Sequence, residues 1–203
     1  MFKNFILFFF LLNVSFTHAT PMKIILYGDS LMAGYGLPEQ EHLSSQLEMD
    51  LKFNYNLETL VVNGSVSGDT SSSGLNRIEW TLQDSVDLVI LSLGANDMLR
   101  GIDPKVIKNN LQKIINIIQE KNIDIIIAGM QSPKSYGDIY KTKFDNIYFE
   151  LAKENNLLIM PFLLEGVALN PDLNQSDGKH PNFQGIKIIS ENLSKYINQK
   201  QIK

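Results

Sequence analysis

The stretch MKIILYGDSLMAGYG (residues 22–36) runs a nearly unbroken apolar segment into a glycine, an acid and a serine, then adds two more glycines before residue 37. Continuous hydrophobicity of this kind marks a strand covered on both faces, whereas a half-exposed strand alternates. Four further runs have the same character: LETLVV (57–62), DLVILSL (87–93), DIIIAGM (124–130) and LLIM (157–160). Helical segments separate them. Pro38 opens one that carries Leu43, Leu47 and Leu51, with His42 one turn in. Asp103-Pro104 opens another, with Val106, Ile107, Leu111, Ile114, Ile115 and Ile118 at helical spacing. Two more are expected over Tyr140–Asn155 and after Pro181. The repeated strand–helix order predicts an α/β fold with a five-stranded parallel sheet, right-handed crossovers and helices on both faces.

This order gathers the polar segments. GDSLMAGYG (28–36), NGSVSGDTSSSG (63–74) and GANDMLRG (94–101) follow the first three strands, and SDGKHPN (176–182) lies beyond the fifth. The carboxyl ends of the strands are where open α/β sheets build ligand sites, so segments remote in sequence meet at one edge. Neither glycine-rich segment satisfies GxGxxG, and no Walker pattern occurs, so the devices for holding dinucleotides and nucleotide phosphates are missing.

The 203-residue chain opens with Lys3, eight uninterrupted apolar residues from Phe5 to Leu12, and the small-residue exit Thr17-His18-Ala19. This is the pattern of a cleavable signal peptide over residues 1–19. An apolar block so short falls well below the ~20 residues that span a bilayer. A periplasmic or secreted protein is expected, with no stable membrane anchor after cleavage and residues 20–203 as one domain. Such a chain is long enough to bury roughly 70% of its unfolded surface without covalent staples. There is no cysteine, which excludes disulfides, thiolate chemistry and Cys-bound metal. The net charge of −4 becomes −5 once Lys3 is removed with the leader, and the terminal Lys195, Lys200 and Lys203 form only a modest cluster, so nucleic acid is not an expected partner.

A serine after a strand is ordinarily a cap or a turn residue. It becomes a candidate nucleophile when the chain also supplies a base, an acid and donors for an oxyanion. Beyond residue 19 the sequence holds two histidines, His42 and His180. His42 reads as a helix residue. His180 lies three positions after Asp177 and directly before Pro181, so that the Asp177 carboxylate can turn back to Nδ1 and leave Nε2 free to accept a proton from Ser30. A plain polar turn capped by Asp177 and Asn182 is the competing interpretation of DGKHPN. Candidate oxyanion donors are the backbone N–H groups of Ser30 and Gly68 and the side-chain amide of Asn96, which could equally close an Asx-turn.

Together, GDSLMAGYG, NGSVSGDT, GANDMLRG and DGKHPN resemble the four blocks of the GDSL or SGNH hydrolases, with Ser30, Gly68, Asn96 and His180 at the naming positions. The resemblance is closest to the periplasmic arylesterase, acyl-CoA thioesterase I and lysophospholipase branch, and extends through QSPKSYG (131–137) and MPFLLEGVALNPDLNQSDGKHPN (160–182). It implies a three-layer, flavodoxin-like sandwich and a catalytic Ser30, Asp177 and His180. It also implies an oxyanion hole from Ser30, Gly68 and Asn96, no metal or organic cofactor, and a small acyl ester or thioester as substrate for a monomer. The segment matching QSPKSYG borders the acyl pocket in this branch, which makes Met98, Leu99, Pro133 and Tyr136 candidate substrate contacts. Phe162–Lys179 is expected to pack as an active-site loop. Met32, Ala95 and Met98 depart from common residues of the branch without removing a catalytic group. The Ser30 context lacks GxSxG, so the nucleophile elbow of α/β-hydrolases is not the pattern. A carbohydrate O-acetylesterase and a non-catalytic binding module on the same fold are the alternatives.

Overall fold

The computed structural model describes residues 20–201, so the expected signal peptide lies outside the described residues. Five strands, β1 (Met22–Gly28), β2 (Thr59–Asn63), β3 (Leu88–Ser92), β4 (Asp124–Ala128) and β5 (Leu158–Met160), form one sheet in the order β2-β1-β3-β4-β5. Every pairing is parallel. The central strands behave as their composition requires: all five residues of β3 are buried, and in β1 Ile24, Leu26 and Tyr27 have no accessible surface. The edge strands depart from the expectation of two covered faces. In β2 the pattern alternates: Thr59 and Val61 are buried on the side where α2 packs, while Leu60 is 47% exposed.

Seven α-helices accompany the sheet among the described residues: α1 (Ser30–Ala33), α2 (Leu43–Tyr55), α3 (Ser71–Thr81), α4 (Ala95–Leu99), α5 (Pro104–Glu120), α6 (Asp138–Glu154) and α7 (Phe183–Gln201). Helix α2 packs with α7, while α3 packs with α5 and α5 with α6, giving the helical layers of an α/β sandwich. Helix α5 buries Ile107, Leu111, Ile114, Ile115 and Ile118 along one stripe, and Asp103 caps it by accepting from the Lys105 N–H at 2.9 Å. Helix α6 begins at Asp138, two residues before the expected Tyr140.

Three helices are absent from the sequence expectation. Helix α3 grows out of the serine-rich polar segment after β2; a reciprocal capping box between Thr70 and Ser73 starts it, and Ile78 anchors it. Helices α1 and α4 contain four and five residues, too few to establish a period. One placement is corrected: His42 does not lie inside a helix. Residues 39–41 form a 3₁₀ turn, and His42 is extended (φ −65°, ψ 153°) as the residue before α2, with Nε2 3.0 Å from the Leu37 carbonyl oxygen.

The strand order places a topological switch between β1 and β3. The chain leaves β1 toward β2 on one side, and leaves β3 toward β4 on the other, so their carboxyl ends open a crevice. Gly28 pairs with Ser92 at that end, which brings the segments starting at Asp29 and Leu93 side by side.

Candidate active site

Ser30 is the first residue of α1, separated from β1 only by Asp29. Asp29 caps the helix, its Oδ1 accepting from the Leu31 N–H at 3.0 Å. The N–H groups of a helix's first turn have no intrahelical acceptor, so the Ser30 N–H is left to other partners. His180 arrives from the opposite end of the chain. An isolated antiparallel bridge joins Asn174 to Pro181, and the Gln175 N–H donates to the His180 carbonyl at 2.7 Å, closing the loop 174–181 into a tight arch. Asn182 then starts α7, accepting from the Gly185 N–H at 3.1 Å.

Within that arch the Asp177 carboxylate accepts from the backbone N–H groups of Lys179 (2.9 Å) and His180 (3.0 Å) through Oδ1. Its Oδ2 lies 2.6 Å from His180 Nδ1. The hydrogen bond from His180, joined by the two backbone N–H bonds, holds the Asp177 carboxyl well below the usual carboxylate range. A carboxylate can only accept, so Nδ1 carries the hydrogen and Nε2 presents its lone pair. His180 Nε2 lies 2.9 Å from Ser30 Oγ, a contact spanning 150 positions of sequence. The polar turn and the hydrogen-bonded pair, which the sequence offered as competing interpretations, thus coexist in one loop.

Gly68 and Asn96 belong to the next two segments. The Asp69 N–H donates to the Val66 carbonyl at 3.1 Å, closing a turn in which Gly68 has φ +87°. A Cβ at Gly68 would meet no protein atom within 4 Å, so backbone conformation rather than crowding by the protein calls for glycine there. Asn96, in the first turn of α4, does not close a local Asx-turn. Its Nδ2 donates to the Asp69 carbonyl at 3.1 Å and to Asp29 Oδ2 at 3.3 Å, linking all three segments. The neighbouring Asp97, 2% exposed, fixes α4 against α3 by accepting from the Ser71 N–H (2.7 Å) and hydroxyl (2.6 Å).

Two supporting residues escaped the sequence reading. Arg77 donates through Nε to Asp69 (2.5 Å), through Nη1 to the Gly64 carbonyl (2.6 Å) and through Nη2 to the Gly28 carbonyl (3.3 Å), and its guanidinium lies 4.1 Å from the Tyr27 ring centroid. A lone arginine in a helical stretch carries no signal of this role, since two of its acceptors are backbone carbonyls. Asp29 is the other. It caps a helix too short to be expected from the sequence, and its burial, which pushes its carboxyl up to about 6, has no local signal either.

The four candidate substrate contacts are distributed unevenly. Met98 is buried in the core at 6% exposure and Leu99 is 52% exposed. Pro133 is exposed, and Tyr136 is half-buried in an open groove of about 540 Å³ that it shares with Pro104, Ile139 and Tyr140. The expected packing of Phe162–Lys179 holds only in part: Leu163, Leu164 and Val167 are buried, whereas residues 169–172 and 176–179 are exposed. Among the described residues no helix is long and apolar enough to cross a membrane.

The model of the GDSL-like lipase/acylhydrolase family matches residues 26–188. Over 170 residues, 83% of this chain and 84% of the relative, the sequence is 39% identical to an arylesterase of Vibrio mimicus. Over 191 residues, 94% of this chain and 90% of the relative, it is 35% identical to thioesterase 1/protease 1/lysophospholipase L1 of Escherichia coli K12. The crystal structure of AlinE4, an SGNH-hydrolase family esterase, superposes with a TM-score of 0.76 at 37% identity, covering 90% of this chain and 97% of that one.

Proposed function

The chain belongs to the GDSL-like lipase/acylhydrolase family, and on that premise we propose that it hydrolyses carboxylic ester and thioester bonds of acyl substrates through an acyl-enzyme, with Ser30 as nucleophile. The observation that carries the assignment is the continuous chain Ser30 Oγ, His180 Nε2, His180 Nδ1, Asp177 Oδ2, with successive separations of 2.9 Å and 2.6 Å across its two hydrogen bonds. As Ser30 Oγ attacks the acyl carbon, its proton passes to His180 Nε2, and the imidazolium that forms is stabilised by the Asp177 carboxylate. The carbonyl oxygen gains a full charge in the tetrahedral intermediate. The N–H groups of Ser30 and Gly68 and the Asn96 amide are the donors we assign to it; each such donor contributes about 3–4 kcal/mol when removed singly. The longer of the Asn96 bonds, to Asp29, is the one an oxyanion would share. His180 then protonates the leaving alcohol or thiol, and a water repeats the cycle on the acyl-serine.

Leu99, Pro133 and Tyr136 are the contacts we assign to the acyl chain, with Met98 backing them from the core. The pattern of residues 1–19 supports export, cleavage after Ala19 and action outside the cytoplasm.

The deciding experiment is hydrolysis of p-nitrophenyl esters of rising acyl length. Retained turnover on medium chains is the expected result. Acetate-only turnover would move the assignment to an O-acetylesterase, and no turnover at any length would leave a binding module.

A further inference from the structure

Ser30 and His180 stand on segments with no local connection, so something must fix the distance between them. One side chain outside the proposed catalytic set spans the gap. Gln175 Nε2 donates to the Tyr35 carbonyl at 2.7 Å and to the Pro181 carbonyl at 3.0 Å, which uses both amide hydrogens. The Gln175 backbone N–H donates to the His180 carbonyl at 2.7 Å, and its own carbonyl accepts from the Gly178 N–H at 2.9 Å. One residue therefore grips two consecutive carbonyls of the histidine loop and the carbonyl five residues after Ser30. The approach is possible only because residue 36 is glycine: it has φ +76°, and a Cβ there would run into Gln175 Oε1. The held segment also lays the Tyr35 ring against the His180 ring, with centroids 4.5 Å apart and planes tilted by 35°.

We propose that Gln175 is a positioning residue for the hydrolysis: its carboxamide, working through the clearance at Gly36, sets the reach between Ser30 Oγ and His180 Nε2 and holds Tyr35 against the imidazole. The inference rests on the assignment of Ser30 and His180 made above. A neutral amide is the suitable group here. It offers two hydrogens in one plane to two carbonyl oxygens, where a carboxylate would repel both and a methyl would satisfy neither. Gln175 is only half-buried, so water can replace its bonds when the amide is removed. Water does not restore the distance, and a misplacement of the order of 1 Å costs about 10²-fold in rate.

The test compares wild type with Gln175→Met, Gln175→Asn, Gly36→Ala and the double variant Gly36→Ala/Gln175→Met. Turnover of a p-nitrophenyl ester, the rate of fluorophosphonate labelling and melting temperature are measured on each. Gln175→Met, which keeps the chain length but has no donor, should lower kcat and the labelling rate by about 10–10²-fold, with KM changed by less than about threefold. Gln175→Asn keeps both hydrogens one methylene short and should be similarly slow, so the expectation survives if the methionine variant does not fold. Gly36→Ala should reproduce the defect, and the double variant should be no slower than the slower single one, because both changes break the same link. Kinetics of Gln175→Met and Gln175→Asn within twofold of wild type, while Ser30→Ala is inert, would overturn the inference and leave the nucleophile assignment standing. So would losses that vanish when activity is expressed per folded molecule. Turnover and labelling that persist in Ser30→Ala would instead remove the nucleophile assignment, and the positioning role with it.

Discussion

Asp29 and Asn96 meet side chain to side chain in the crevice between β1 and β3, with Asn96 Nδ2 3.3 Å from Asp29 Oδ2. Asp29 is only 2% exposed, and burial pushes its carboxyl up to about 6, against the opposing pull of the Leu31 N–H and the Asn96 amide. Between the ordinary carboxylate range and about 6 the folded protein keeps a proton that the unfolded chain has released. Stability therefore falls as pH rises through that window, by about 3 kcal/mol for a shift of roughly two pK units. Melting temperatures of wild type and Asp29→Asn, taken from pH 4.5 to 7.5, should diverge to the disadvantage of wild type as pH increases. A constant difference would show that Asp29 does not titrate there.

Ser30→Ala and Asn96→Ala should fail in different ways. The first removes the atom to be acylated, so fluorophosphonate labelling disappears and turnover drops to background. The second leaves oxygen and base in place and withdraws one donor from a charge that develops in the transition state. Its kcat should fall by about 10²–10³ with little change in KM, and slow labelling should persist. An Asn96→Ala protein that melts early yet turns over normally per folded molecule would assign Asn96 to structure alone.

The two histidines give a matched contrast. His180→Ala should abolish turnover, whereas His42→Ala, which loses the contact from Nε2 to the Leu37 carbonyl, should lower melting temperature and retain kcat in the folded fraction. Because the Asp177 carboxyl is held below its usual range by His180, its stabilising bonds persist above that range and are lost only as pH falls through the depressed value. Turnover that survives His180→Ala at the wild-type rate would remove His180 from the site.

Arg77 and Asp69 form an ion pair whose side chains are only 20% and 10% exposed, and Arg77 also holds the Gly64 and Gly28 carbonyls. Arg77→Met leaves the carboxylate in place without its partner and should cost about 3–5 kcal/mol in denaturant unfolding. Asp69→Asn/Arg77→Met should recover part of that loss, since the buried charge is gone. A double variant as unstable as the single one would locate the contribution of Arg77 in the carbonyl bonds and the packing on Tyr27.

Features whose causes lie close together along the chain were legible before any coordinates. The apolar runs of β1, β3 and β4 and the stripe of α5 are local patterns of burial, and the Asp177–His180 pairing is a turn of three residues. The four polar segments were legible as one edge because parallel strands all end on the same side. The remaining features depend on how distant segments pack. The 2.9 Å contact between Ser30 and His180, the reach of Asn96 to Asp29 and Asp69, and the grip of Gln175 on Tyr35 and Pro181 each join segments whose separation is set by strand order and helix packing. The place of His42 belongs there too, set by an extended backbone that no side-chain period records, whereas helix α3 has a local cause, the Thr70–Ser73 capping box, which its serine-rich composition hid. Periodicity reports which face of an element is buried. The distance between two loops depends on every element packed between them, and that sum has no local signature.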